Sequence, residues 1–197
     1  IKRMFAYSSA SHLSFISAGI FSLNSYGING ALYLIIAHAI ATGALFLLVG
    51  LIHEQTGFKT IKDLGGIAKK APIFTFIFAV MLFANIGLPG TNGFVSELLI
   101  IFGIYEFNHT LGYISALTVI IGASYMLWMF QRAILQNRPE GSIELKMRDL
   151  KIKEILGLAP WVILVFLMGF YPEVFMNKFE PTVTHYLNDI LQIGATK

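Results

Sequence analysis

The sequence predicts an all-α fold, a polytopic membrane helix bundle with five transmembrane helices, one of them discontinuous. Composition is the first observation behind this prediction, because the 197 residues are 56% hydrophobic and only 13% charged. Length is the second: the apolar stretches run for about 17 to 24 residues, enough for a helix to cross a hydrocarbon core about 30 Å thick. The third is the placement of the basic residues, which gather in segments that would share one side of the membrane.

The five predicted spans follow the apolar stretches in chain order. They cover about 5–23, 30–52, 72–107, 110–133 and 155–171. All are predicted to be helical, because an open sheet edge in lipid leaves backbone groups unpaired. The third span is predicted to be broken at 87–93, where glycine and proline are too frequent for a helix to continue. Residues 1–172 are therefore interpreted as a membrane domain, with short external turns at 24–29 and 108–109.

Residues 173–197 are predicted to form an external amphipathic tail. Pro181 suits the first position of a helix. Apolar side chains then recur on one face at Val183, Tyr186, Leu187, Ile190 and Leu191. Such a helix lies along the membrane interface or against a partner, and a simple tether is the alternative.

Charge placement decides how often the broken stretch 72–107 crosses the membrane. If it crosses once, the amino terminus and the loops 53–71 and 134–154 share one side, and that side holds 12 of the 14 lysines and arginines. The positive-inside rule then predicts a cytoplasmic amino terminus and an external carboxyl terminus. Two crossings would move the basic loop 134–154 outside, so a single crossing is predicted.

Composition also excludes several kinds of function. The chain has no cysteine, which excludes disulfides, thiolate metal sites and iron–sulfur clusters within it. Its basic residues are not interleaved with aromatic residues on one face, so no nucleic-acid partner is expected. The chain begins Ile1-Lys2-Arg3, with no signal peptide and no initiator methionine, and is interpreted as a piece of a longer polytopic protein.

Three ionisable residues fall inside the predicted spans and carry the functional hypothesis: Glu97, His12 and His38. A carboxyl group at the bilayer centre costs a few kcal/mol or more, so an intramembrane acid marks a functional site. The two histidines lie roughly 10 to 12 Å from the ends of their spans. An imidazole can take a proton at one nitrogen and release it from the other, as a relay requires. Either histidine alone fits a neutral packing role, whereas the three residues together favour a proton relay.

Hydroxyl side chains are predicted to support the two histidines. Ser8 and Ser9 lie four and three residues before His12, and Thr42 lies four residues after His38, so each imidazole shares a helix face with a hydroxyl group. Those faces are predicted to hold water. The remaining histidines are expected to be solvated in loops or on the tail: His53, His109 and His185.

The helix break is predicted to belong to the same site. Gly87, Pro89 and Gly90 precede Glu97, which is expected on the first turn of the resumed helix, where the helix dipole favours a negative charge. The loop is expected to be buried in protein at mid-membrane depth. Discontinuous helices with polar ends are typical of ion sites in transporters. A simple kink is the alternative.

Several segments resemble a known family. They are Lys2–His12, Ile36–Phe46 and Asn85–Glu97, with shorter matches at Lys62–Ile67, Asp149-Leu150 and Gly169–Pro172. They resemble the antiporter-like membrane subunits of the proton-pumping NADH:quinone oxidoreductase, complex I. Related L-type, N-type and Mrp-antiporter subunits usually carry lysine at the Glu97 position, whereas Phe94-Val95-Ser96-Glu97 resembles the M type, equivalent to mitochondrial subunit 4. Ser96 departs from the glycine that is common there.

The resemblance implies a longer subunit built around two inverted helical repeats, with this chain as a carboxyl-terminal fragment holding the last five helices. It implies that His12 and His38 belong to a water-linked proton relay, that Glu97 is its terminal group, and that quinone reduction on other subunits drives it. No cofactor or metal is expected in this chain, since NADH, FMN, iron–sulfur clusters and quinone would be bound by other subunits. Expected partners are neighbouring antiporter-like subunits and the lipid bilayer.

The expected location is a multi-pass position in a bacterial plasma membrane. Two other functions remain open at the level of sequence. One is a subunit of an Mrp-type cation/proton antiporter or a membrane-bound hydrogenase, with sodium in place of protons as a further possibility. The other is a structural membrane spacer, in which His12, His38 and Glu97 would be replaceable without loss of transport.

Overall fold

The computed structural model of the chain describes residues 1–58, 60–138 and 146–195, and side chains as far as residue 190. Parts of the predicted loops 53–71 and 134–154, the side chain of Leu191 and the last two residues of the predicted tail lie outside the described residues. Within the described part, the regular structure is helical. The all-α prediction is therefore confirmed for these residues.

Nine α-helices follow one another in this described part. Their bounds are α1 Lys2–Phe21, α2 Ser25–Thr56, α3 Ile67–Lys70, α4 Pro72–Asn85, α5 Asn92–Phe107, α6 His109–Phe130, α7 Ile152–Phe170, α8 Glu173–Met176 and α9 Glu180–Ala195. A short 3₁₀ turn lies at Ile61–Asp63, and α6 continues as a π-helical turn over Gln131–Leu135.

Three described helices are long and apolar enough to cross a membrane. They are α2, α7 and α6 with its π-helical extension, with mean hydropathies of 2.4, 1.8 and 1.6 respectively over their most apolar stretches. The helix α4 is apolar but shorter. The other two predicted spans, α1 and the interrupted pair α4 and α5, do not combine the same length and hydropathy, so these criteria alone do not establish five crossings.

Helix α2 lies at the centre of the bundle and contacts α1, α4, α5 and α7. Glycines allow the closest approaches: a Cβ atom on Gly103 would overlap the backbone of Gly27, and one on Gly30 would lie 2.8 Å from the backbone nitrogen of Ile100. In lipid, where apolar side chains gain little by leaving the solvent, such close backbone packing is a main source of helix association. Helices α1, α2 and α5 thus form a tight unit.

The start of α4 is fixed by a carboxylate from a distant segment. Pro72 occupies the first turn of α4, where its missing N–H is no loss. The Asp149 carboxylate accepts hydrogen bonds from the backbone N–H groups of Ile73 at 2.9 Å and Phe74 at 2.8 Å. Burial opposes the charged form, but these bonds and one from Leu150 outweigh it and hold the pKa of Asp149 below its usual value. The loop before α7 is therefore tied to the first half of the broken helix.

Several predicted boundaries are wrong, and local capping explains two of them. Asn24 accepts a hydrogen bond from the Gly27 backbone N–H at 2.9 Å, so α2 begins at Ser25 and the predicted turn at 24–29 is mostly helix. The same helix continues to Gly57, where φ is 71°, so His53 lies in its last turn and not in a loop. His109 is likewise the first residue of α6, and its ring stacks on Tyr105 with 4.4 Å between ring centroids.

The predicted tail forms two helices, α8 and α9, and both contact α2. Pro181 is the second residue of α9, because the helix begins at Glu180. On the predicted apolar face Val183 is buried, whereas Tyr186 is 52% exposed. His185 is exposed as predicted and lies 3.0 Å from the carboxylate of Asp189, one helical turn further on.

Candidate functional site

The predicted helix break is present between α4 and α5, over residues 86–91. The end of α4 is a left-handed cap: Gly87 has φ 70°, the Leu88 N–H donates to the Phe83 carbonyl at 2.9 Å, and the Gly87 N–H donates to the Ala84 carbonyl at 3.4 Å. This Schellman arrangement satisfies carbonyls that the end of a helix leaves open. The break starts and ends slightly earlier than the predicted 87–93, because Asn92 and Gly93 already belong to α5.

The loop is covered on one side and open on the other. Gly90, with φ 91°, lies beneath the ring of Phe170, and a Cβ atom on Gly169 would overlap the Gly90 carbonyl. The end of α7 therefore packs directly on the loop. Leu88 is 45% exposed and Pro89 is also exposed. α7 covers the Gly90 side of the loop, and burial of Leu88 and Pro89 in protein at mid-membrane depth stays a prediction.

Glu97 is buried, with 5% of its surface exposed. It is the sixth residue of α5 and lies on the second turn, so the prediction that places it on the first turn is wrong. The reason is the earlier start of α5, and the helix dipole acts mainly within the first turn. The carboxyl group folds back against the break instead: a Cβ atom on Gly87 would overlap it. Gly87 is thus required both for its backbone conformation and for the space it leaves.

The structure brings the three predicted ionisable residues together from three helices. The His12 Nδ1 atom of α1 lies 3.7 Å from Oε1 of Glu97 in α5. The ring of His12 lies beside that of His38 in α2, with 4.7 Å between the ring centroids. Sequence placed all three residues inside predicted spans, and the close packing of α1, α2 and α5 makes them neighbours.

Hydrogen bonds extend this group through hydroxyl and amide side chains. His38 Nε2 lies 3.1 Å from the Ser9 hydroxyl, and His38 Nδ1 lies 3.1 Å from the Thr42 hydroxyl. Thr42 also donates to Oδ1 of Asn85 at 3.2 Å, and Asn85 Nδ2 donates to the Ser8 hydroxyl at 3.3 Å. The predicted pairing of Thr42 with His38 is present. Ser9 contacts His38 across the helix pair and not His12, because α1 and α2 pack against each other.

Asn85 is the member that the sequence prediction missed. It is the last residue of α4, is 4% exposed, and both of its side-chain polar atoms are bonded. A signal was available, since an amide in an apolar helix is costly unless it is hydrogen-bonded. We call the seven residues together the polar cluster: Ser8, Ser9, His12, His38, Thr42, Asn85 and Glu97.

A small cavity of about 30 Å³ adjoins the polar cluster. Its lining includes Ser8, His12, Asn85 and Glu97 of the polar cluster and Thr118 of α6. A site that holds a water molecule needs roughly 10 to 15 Å³ of this kind of space and two or more polar partners. The cavity meets both conditions, beside the 3.7 Å gap between His12 and Glu97.

Apolar helices packed around α2, with an interrupted helix beside them and two imidazoles and a carboxyl group brought together at the break, are typical of an antiporter-like membrane subunit. Residues 1–123 match the family model described as NADH:quinone oxidoreductase/Mrp antiporter, TM, and the chain belongs to this family.

The names of curated relatives agree with the predicted resemblance to the M-type subunit. The chain is 38% identical over 185 residues to NADH-ubiquinone oxidoreductase chain 4 of Marchantia polymorpha, covering 94% of this chain and 37% of that protein. It is 37% identical over 187 residues to NADH-quinone oxidoreductase subunit M of Rickettsia bellii, covering 95% and 38%. The predicted resemblance is confirmed. The chain spans less than four tenths of the length of these relatives.

Solved structures share the fold. Respiratory complex I from Thermus thermophilus matches with a TM-score of 0.86 and 33% identity, covering 95% of this chain and 39% of the matched chain. The Mrp complex from Dietzia sp. DQ12-45-1b matches with a TM-score of 0.81 at 16% identity, covering 94% and 42%. At that identity the second match shows a common fold.

Proposed function

We propose that this chain is part of a proton-translocating membrane subunit of a respiratory NADH:quinone oxidoreductase, and that His38, His12 and Glu97 relay its protons. The observation that carries the proposal is the convergence of two imidazoles and a buried carboxyl group beside a helix break and a small polar cavity. The family membership and the names of the curated relatives support the parent complex.

The geometry suits transfer by short steps. The rings of His38 and His12 lie beside each other, with 4.7 Å between their centroids, and His12 Nδ1 lies 3.7 Å from Oε1 of Glu97. That last gap exceeds a hydrogen bond, and a small rotation of either side chain or one bridging water closes it. If both imidazoles carried a positive charge, they would repel each other, because their ring centroids are only 4.7 Å apart. A proton arriving at one ring therefore favours release from the other.

The helix break gives the relay a movable part. Asn85 ends α4 and Glu97 lies in α5, so the two sides of the site belong to half-helices joined by residues 86–91. A small shift of one half-helix against the other changes the distance between Glu97 and His12 while each half keeps its backbone hydrogen bonds. Quinone reduction on other subunits would drive this shift through the neighbouring membrane subunits.

We also propose where the redox groups, the partner subunits and the membrane lie relative to this chain. NADH, FMN, iron–sulfur clusters and quinone are bound by other subunits, and neighbouring antiporter-like subunits are the partners in the membrane. The chain crosses a bacterial plasma membrane five times, with α4 and α5 making one crossing, because this count places 12 of 14 basic residues on the cytoplasmic side.

A cation/proton antiporter of the Mrp type is the second candidate. It is favoured by the fold match to the Mrp complex from Dietzia sp.. Both candidates would relay protons through ionisable groups beside a broken helix, and they differ in what drives the ion. Pumping that depends on quinone reduction supports the first candidate, and sodium-driven proton exchange without electron transfer supports the second.

The test replaces Glu97 by glutamine in the assembled complex and measures protons moved per electron. Glu106→Gln is the matched control, since Glu106 lies on the same helix with an exposed side chain. We expect Glu97→Gln to lower the proton-to-electron ratio while assembly on a native gel is retained, and Glu106→Gln to leave the ratio unchanged. An unchanged ratio in fully assembled Glu97→Gln complex would contradict the relay and favour a structural spacer.

A further inference from the structure

A large cavity opens at the end of the bundle where α1 begins and α6 ends. Its volume is about 640 Å³, within the range of roughly 300 to 1,000 Å³ that is usual for ligand sites. Three basic residues from three segments line it: Arg3 of α1, Lys62 of the 3₁₀ turn and Arg132 of the π-helical turn. All three residues are exposed. We call this space the basic cavity, and its described lining includes no member of the polar cluster.

Backbone hydrogen bonds hold two of the basic residues close together. The Gln136 N–H donates to the Gln131 carbonyl at 2.7 Å and closes the π-helical turn, and the Gln136 carbonyl accepts from the Gly66 N–H at 2.7 Å. The segment that carries Lys62 is thereby fixed against the turn that carries Arg132, and the two turns are in contact. Such π-helical turns are rare and occur frequently at functional sites.

Trp128 adds an aromatic ring to the basic cavity. The Arg132 guanidinium lies 4.6 Å from the centre of that ring, a cation–π contact that keeps the charge over the indole. Trp128 is 46% exposed, and tryptophan is typical of the level of the lipid headgroups. Ile61 and Leu64 supply further apolar surface. Basic and apolar groups thus meet in one cavity at the membrane surface that charge placement predicts to be cytoplasmic.

The positive charges of the basic cavity have no acid beside them in its described lining. Asp63, the acid that follows Lys62, accepts a hydrogen bond from the Thr60 hydroxyl at 2.6 Å. Like charges gathered in one cavity repel each other, and a bound anion offsets that repulsion. Gln136 and Asn137 also line the cavity, and their amide groups can donate hydrogen bonds to such an anion.

We propose that the basic cavity binds the phosphate headgroup of an anionic phospholipid from the cytoplasmic leaflet. Arg132 offers paired N–H groups that match two phosphate oxygens, and Lys62 offers a compact positive charge. Basic cavities between membrane helices on the cytoplasmic side are typical of sites for such headgroups. Trp128 and the apolar residues would contact the glycerol and the upper part of an acyl chain. A free anion gains nothing from these apolar contacts, so a lipid is the better fit. This site is separate from the proposed relay and does not depend on it.

The experiment titrates the purified assembled complex in detergent with phosphatidylglycerol that carries a photoreactive group close to the glycerol. Labelling of this subunit is measured by mass spectrometry of its peptides, and phosphatidylcholine with the same reactive group is the neutral probe. We expect phosphatidylglycerol to label the peptides that contain Lys62 and Trp128 at lower concentration than phosphatidylcholine does. Lys62→Gln and Arg132→Gln should each raise the half-saturating concentration about fivefold, which corresponds to about 1 kcal/mol for each charge removed.

Lys69→Gln is the matched control, since Lys69 is an exposed lysine of α3 outside the described lining, and it should leave the half-saturating concentration unchanged. Lys62→Arg keeps the charge and should restore binding. Equal labelling by the two lipids would overturn the inference in favour of a purely apolar contact, and competition by excess inorganic phosphate would overturn it in favour of a soluble anion. Absence of labelling in the native complex would show that another protein segment fills the cavity. The comparison of the two lipids on the native complex tests the inference even where a variant fails to assemble.

Discussion

The polar cluster and the segment before α7 are both polar regions of an apolar bundle, and they are held in opposite ways. Before α7, Arg148 forms a bidentate pair with Glu154 at 2.7 and 2.8 Å, and Asp149 binds the start of α4 at 2.8 and 2.9 Å. In the polar cluster the contacts run from 3.1 to 3.7 Å beside a cavity.

The difference shows which parts of the molecule are fixed and which can rearrange. Charge-assisted and bidentate hydrogen bonds are shorter and about twice as strong as neutral ones. They lie where α4 begins and where α7 begins, so the outer ends of these helices are anchored. The longer, largely neutral contacts lie at the inner end of α4. One half-helix is therefore tethered by charged groups at its outer end and held by weaker, largely neutral contacts at its inner end, an arrangement that the proposed relay would use.

Filling the space at the inner end of α4 should disturb the polar cluster most. Gly87→Ala places a Cβ atom into the Glu97 carboxyl group and adds the strain of φ 70°. Gly57→Ala is the matched control, because φ is 71° and nothing lies within 4 Å of its Cβ position. Both variants bear a backbone cost of about 1 to 2 kcal/mol. We expect Gly87→Ala alone to abolish proton pumping, measured as the proton-to-electron ratio of assembled complex.

Equal losses in the two glycine variants would mean that backbone strain, and not the displaced carboxyl group, limits function. Equal retention would mean that Glu97 tolerates displacement, which contradicts a fixed place for it beside His12. Thermal unfolding of both variants checks that the backbone cost is indeed comparable.

Two histidines of α2 have different surroundings. His38 contacts Ser9, Thr42 and His12 within the polar cluster, whereas His53 lies in the last turn of α2 with Nδ1 3.4 Å from the Phe58 carbonyl. General acid–base groups contribute about 10²- to 10⁴-fold to a proton transfer. We expect His38→Ala to slow pumping by about tenfold or more, and His53→Ala to change it less than twofold. Pumping rates in proteoliposomes measure both, and equal small effects would favour a packing role for His38.

The parts that sequence could predict are those with a local physical reason. Glu97, His12 and His38 are costly in a membrane whatever surrounds them, and glycines with a proline end a helix from sequence alone. The roles of Asn85 and Asp149 could not be predicted, because they depend on partners far along the chain. Asn85 forms hydrogen bonds with residues 43 and 77 positions away. Asp149 accepts hydrogen bonds from the first residues of α4, which lie 75 and 76 positions away. The turn of α5 on which Glu97 lies was missed, because the helix restarts before Gly93.

The smallest expected effect concerns the anchored end. Asp149→Asn keeps the size of the side chain, removes its charge and replaces one of its two acceptor oxygens by an amino group, so we expect a loss of about 1 kcal/mol in stability at pH 7. Because the pKa of Asp149 is lowered in the folded protein, its contribution is fully present above the unfolded value of about 3.9 and is lost as pH falls through the lowered value. The stabilities of native and variant protein from thermal unfolding should therefore differ by a constant amount from pH 8 down to about pH 4.5, begin to approach each other below about pH 4, and come closest below the lowered pKa. Glu106→Gln, an exposed acid without such bonds, should match the native protein throughout. A difference for Asp149→Asn that is independent of pH would show that the cap acts through shape alone, and the contrast between a charge-fixed outer end and a neutral inner end of α4 would then fail.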